Sequence, residues 1–149
     1  MCPARVYAGK TAAERDRGRR ESLIEACFDV MGTDGAAKTT VTEVCRRSGV
    51  TTRYFYGHFP NRDALLTAMT ERLTARLRDH VVQSIPDSAL SADELARAQI
   101  GALVQLIRDD DRLARVVFVE LGTEPVLREL RRSRATPVLM LTARGEVKD

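Results

Sequence analysis

Residues Thr39 to Phe59 read TTVTEVCRRSGVTTRYFYGHF, two short helical segments, each opened by a threonine and parted by Ser48-Gly49. Thr40 is followed three positions later by Glu43, the spacing of a reciprocal capping box. Val44 and Cys45 then face inward, and Arg46 and Arg47 prolong the helix on its wet side. Gly49 ends it, because glycine enters the left-handed conformation without a side-chain clash. Thr51 is placed to cap the second segment, with Val50 stapling onto Phe55. Asn61 offers a third cap at once. Two capped helices about a sharp turn form a helix-turn-helix, and the second of them is the one that enters a DNA groove.

The second segment carries Thr52, Arg53, Tyr54 and Tyr56 in its opening turns, where a recognition helix meets base edges. No acidic residue occurs from Arg46 through Arg62 in a chain that is 30% charged, and four arginines lie inside that gap. Such a surface suits approach to phosphate. Arg53 matches a guanine edge by two bonds, and threonine methyls match thymine. Tyr56, His58 and Arg62 suit the backbone, Arg62 lying in the first turn of a helix whose N-terminus favours an anion. Plainer readings stand beside these. Phe55 and Phe59 are core aromatics, Tyr56 is open to the same reading, and His58 fits a hydrogen bond inside the fold as well as a phosphate. Arg46 and Arg47 fit a solvated helix face. Thr40 is a cap in either case, and a cap can still donate its hydroxyl to phosphate.

Residues from about Arg17 to Leu77 resemble the DNA-binding domain of the TetR/AcrR family of bacterial transcriptional repressors. The resemblance is carried by Gly49-Val50, by Tyr56-Gly57-His58-Phe59 and by the basic Arg62 three positions on. It implies that Thr40, Thr42, Thr51, Thr52, Arg53, Tyr54, Tyr56, His58 and Arg62 stand where the family contacts phosphates or bases. Gly57 departs from the pattern, where a larger residue is common. The resemblance also implies a ligand-responsive repressor that binds an inverted repeat in double-stranded DNA as a homodimer. Its second region would take a small-molecule inducer.

The 149 residues allow one medium domain or two small ones, and 44% of them are hydrophobic, enough for a real core. Tryptophan is absent and aromatics are only 5%, so that core is built from Leu, Val, Ile and Ala. The expected class is all-α: a three-helix DNA-binding head joined by a long helix to a truncated helical C-terminal region. The net charge of +3 is uneven, with eleven Lys/Arg against seven Asp/Glu in residues 1–62 and thirteen against fourteen beyond. Cys2, Cys27 and Cys45 lack metal spacing, so neither a metal nor a disulfide is expected. No apolar run reaches the length of a membrane span, and no signal-peptide core opens the chain, so a cytoplasmic protein is expected.

Along the chain, residues 1–15 read as a flexible basic arm, residues 16–77 as the DNA-binding domain with its motif at 40–59, residues 78–135 as a partial ligand-binding and dimerisation region, and residues 136–149 as an atypical tail. The first helix is expected from roughly Glu14 to Met31, with Leu23, Ile24, Cys27, Phe28 and Met31 at helical spacing. Asn61 opens a long helix whose stripe runs through Leu65, Leu66, Met69, Leu73, Leu77, Val81 and Ile85, closed by Pro86. Ser91 and Glu94 form a second capping box. Asp109, Asp110 and Asp111 mark a boundary before a helix through Leu113, Val116, Val117 and Val119 to Gly122, and Pro125 starts another to about Arg134. The two long final helices expected of the family are not recognisable. Thr136 to Arg144 reads as a short strand and turn, resembling a piece of a response-regulator receiver domain too small to carry function.

Catalysis finds no support, since no nucleophile elbow, phosphate-cradling loop or spaced His/Glu set occurs and only His58 and His80 are present. A second class remains: a truncated helical interaction module, or a remnant, that pairs with another regulator without binding DNA.

Overall fold

The computed structural model describes residues 11–85 and 91–120, together with Pro125, Arg128 and Glu129. Among the described residues every regular element is helical. The chain divides into two compact units, residues 1–69 and 70–149.

In the first unit, α1 (Ala12–Asp34) opens on a full capping box, Glu14 N–H donating to Thr11 Oγ1 and Thr11 N–H to the Glu14 carboxylate. It therefore starts two residues before the point that the apolar periodicity predicts. Leu23, Ile24, Cys27, Phe28 and Met31 are buried along it, as their spacing demands. Gly35, at φ 92°, turns the chain out of α1 while its N–H caps the Val30 and Met31 carbonyls. A 3-10 turn, Ala36–Lys38, leads to α2 (Val41–Ser48).

Thr40 caps α2, its hydroxyl accepting the Glu43 N–H at 3.2 Å. The return half of the expected box is absent, because Glu43 turns its carboxylate to arginines instead. Gly49 ends α2 at φ 69° and ψ 11°, the left-handed conformation that its position predicts. The next helix, α3 (Thr52–His58), follows Thr51 at its N-cap. Val50, Phe55 and Phe59 are buried, Phe55 completely, and the Phe55 and Phe59 rings lie 5.8 Å apart. Asn61 then caps α4 (Arg62–Gln83), its Oδ1 accepting the Ala64 N–H at 2.8 Å. Leu65, Leu66 and Met69 complete the core of this unit. Each fully buried side chain of that size stabilises by about 1.5–3 kcal/mol relative to exposure.

In the second unit Leu73 and Leu77 of α4 are buried, and Val81 and Ile85, the end of the stripe, are half-buried. The Ser91–Glu94 box opens α5 (Ala92–Asp109) with both reciprocal bonds formed. Asp110 ends α5 and caps α6 (Asp111–Arg115), so the aspartate triplet is a boundary. Beyond Arg115 the predicted α-helix departs: Val116–Glu120 is a π-helical turn. The wider turn sets residues five apart face to face, and Arg115 Nε meets the buried Glu120 carboxylate at 3.2 Å. The arm expected over residues 1–15 is shorter than predicted, because the Thr11–Glu14 box makes residues 12–15 the first turn of α1. Residues 1–10, the helix from Val126 to about Arg134 and the strand-like tail lie outside the described residues, apart from three helical positions at 125, 128 and 129.

Candidate nucleic-acid interface

The helix α3 is short enough that its two faces are set by two residues. Phe55 and Phe59, four apart, point into the core, which turns Arg53, Tyr54 and Tyr56 outward. Tyr54 is 44% exposed and Tyr56 58% exposed, unusual for rings of that size. Tyr56 meets the Phe55 ring edge-on, the two centroids 5.2 Å apart. Arg53 is exposed, with no hydrogen bond or ion pair among the described residues.

The other arginines of the acid-free stretch are engaged. Arg46 gives two bonds to Glu43, at 2.8 and 2.6 Å. Arg47 bridges helices: its guanidinium reaches Asp29 at 2.7 Å and Asp34 at 2.8 Å, both on α1, and Glu43 at 3.2 Å on its own helix. The solvated-face reading thus fails for Arg47, which ties α2 to α1. These bonds, those to Arg46 first, hold the Glu43 carboxyl down at about 2, and the bond to Asp29 foremost raises the Arg47 pKa further. Arg62 reaches back from α4 to the Thr39 carbonyl at 2.7 Å and the Ala36 carbonyl at 2.9 Å.

Thr40 and Thr42 are exposed at the start of α2, and Thr51 is exposed at the N-cap of α3 with its hydroxyl making no cap bond. Thr52 is also exposed but bonds the Cys45 thiol, whose pKa burial raises and that bond lowers. Cys27 is sealed more tightly, burial pushing its thiol up to about 12 against the pull of Arg62. His58 is different from its neighbours. Its side chain is only 10% exposed and lies 3.4 Å from Asp16 on α1, so of the two readings open to it the inward one describes its place. All nine residues singled out in the sequence belong to the first unit. Seven of them are exposed, whereas His58 and Arg62 are turned to partners within it.

Three contacts between α1 and the segment of α3 and its C-cap have no local signal in the sequence. Arg19 lies over the Tyr54 ring at 4.0 Å, Arg20 over the Phe59 ring at 5.2 Å, and Asp16 beside His58. Together they hold the exposed helix from the side. Among the described residues no group of His, Cys, Asp and Glu could hold a metal ion.

Residues 23–69 match the family model described as bacterial regulatory proteins, tetR family. The chain is 29% identical over 96 residues to the HTH-type transcriptional regulator BetI of Rhizobium meliloti (strain 1021), covering 64% of this chain and 45% of that protein. It is 33% identical over 86 residues to the BetI regulator of Klebsiella pneumoniae (strain 342), covering 56% and 43%. The chain thus spans less than half the length of these curated relatives. Among solved structures, a TetR family transcription regulator from Marinobacter aquaeolei VT8 superposes with a TM-score of 0.71 at 20% identity, covering 90% of this chain and 71% of that one. A transcriptional regulator from Rhodococcus sp. Rha1 superposes with a TM-score of 0.64 at 26% identity, covering 76% and 62%.

Proposed function

Since this chain belongs, through residues 23–69, to the tetR family of bacterial regulatory proteins, we propose that it is a sequence-specific DNA-binding transcriptional repressor. The observation that carries the reading is the outer face of α3. Seven residues long, α3 exposes two tyrosines and an arginine that has no partner among the described residues, while both of the phenylalanines beside them are buried. Arg53 supplies a planar fork for a guanine edge, and Tyr54 and Tyr56 supply ring edges and hydroxyls for bases and phosphates. Thr40 and Thr42 at the start of α2 and Thr51 at the N-cap of α3 supply exposed hydroxyls for the backbone, and the methyl of the exposed Thr52 suits thymine.

The protein acts as a homodimer in the cytoplasm. Two-fold symmetry then sets two copies of α3 into successive major grooves about 34–36 Å apart, so the target is an inverted repeat. A small-molecule inducer releases the DNA by favouring a dimer whose heads no longer match that spacing. No helix among the described residues is long and apolar enough to cross a membrane.

The test is selection from a random duplex pool followed by a salt titration. The expected product is an inverted repeat whose binding weakens steeply with salt. A protein that retains no duplex at low salt is not a DNA-binding regulator.

A further inference from the structure

We propose that Arg62 is a positioning residue for the DNA-binding face, acting by gripping the turn that delivers Thr40 to the start of α2. The geometry is a clamp on two carbonyls. Arg62 Nε donates to the Thr39 carbonyl at 2.7 Å and Nη2 to the Ala36 carbonyl at 2.9 Å. Thr39 sits at φ −76° and ψ 66°, the inverse γ-turn, and the Thr40 N–H closes that turn on the Lys38 carbonyl at 2.8 Å. In this turn the Thr39 carbonyl is left without a helical partner, and Arg62 supplies one. The Thr39 hydroxyl, itself buried, donates to the Gly35 carbonyl at 2.9 Å and fixes the same loop from within.

Thr40, next in the chain, is then held at the point where its hydroxyl caps Glu43 and where Thr42 follows on the exposed side. A guanidinium suits this task because its planar fork reaches two acceptors at once, which an ammonium on a flexible stem does not reproduce. Arg62 is 29% exposed, and its fork points to the loop. The proposal depends on the DNA-binding reading for its effect on affinity, and the clamp itself is tested without DNA.

The experiment uses the full chain with Arg62→Ala and Arg62→Lys. Amide hydrogen exchange in the free protein is expected to rise at least about tenfold over residues 36–43 in both variants, with α1 and α3 little changed. Affinity for the inverted repeat recovered by selection with the wild type is expected to fall in both, at a temperature where each is fully folded, with the salt slope unchanged. Arg62→Lys keeps the charge and most of the stem, so it serves as the deciding variant if Arg62→Ala unfolds. Unchanged exchange overturns the proposal, and so does an even rise through the whole head, which marks general destabilisation. Lysine binding like arginine while alanine lowers the salt slope by about one identifies a phosphate contact instead. A wild type that retains no duplex sinks the DNA-binding reading, and exchange over residues 36–43 then decides the clamp alone.

Discussion

The guanidinium carbon of Arg19 lies 4.0 Å from the centroid of the Tyr54 ring, so a side chain in the first turn of α3 is held by α1. A cation over a partly exposed aromatic face is worth about 0.5–1 kcal/mol. A double-mutant cycle on Arg19→Ala and Tyr54→Ala, read by denaturant unfolding, is expected to show a coupling of about that size. Strict additivity would mean that the stacking carries no energy.

Gly49 adopts a conformation that side chains resist, yet a Cβ there meets nothing within 4 Å. The cost of a side chain is therefore confined to the backbone. Gly49→Ala is expected to destabilise by about 1–2 kcal/mol, the left-handed penalty, whereas Gly49→Asn, whose side chain tolerates this region, costs less. Equal melting temperatures for wild type and Gly49→Ala would show that the turn between α2 and α3 does not need the left-handed residue.

Acid weakens the ion pairs that Glu43 makes with Arg46 and Arg47 within α2. The Glu43 carboxyl falls from its ordinary 4.5 to about 2 in the folded chain, the bond to Arg46 being the largest cause. Its folded value lies below its unfolded one, so the stability it contributes is complete above about 4.5 and is lost as pH falls through about 2. Thermal melts across that window should show wild type losing stability more steeply than Glu43→Gln. Parallel curves for the two proteins would mean that the ion pairs of Glu43 contribute nothing to stability.

Much of the architecture is legible in the sequence because its signals are local. The Ser91–Glu94 box, Asn61, Gly49 and the paired Phe55 and Phe59 each act within four residues, and each does what its spacing implies. Thr11 and Glu14 carry the same box, a signal as local as the others. Glu43 shows where a local signal divides: three residues after Thr40 it fits a capping box, and three before Arg46 it fits an ion pair, and the charged partners win. The rest lies in partners far apart along the chain. Arg47 meets Asp29 eighteen positions away and Arg62 meets Thr39 twenty-three away, and no periodicity reports such pairs. The π-helical turn at Val116–Glu120 is hidden for another reason, since its apolar residues also fit an ordinary helix.

Arg53→Ala tests most directly whether α3 lies against nucleotide edges. Affinity is to be measured for the wild type and the variant on the selected inverted repeat and on an unrelated duplex at one salt concentration. The expected result is a loss of about 1–3 kcal/mol on the selected site, with relaxed preference at one base pair and a much smaller loss on the unrelated duplex. Equal losses on the two duplexes would contradict base reading by Arg53 and leave that side chain only a phosphate-binding role.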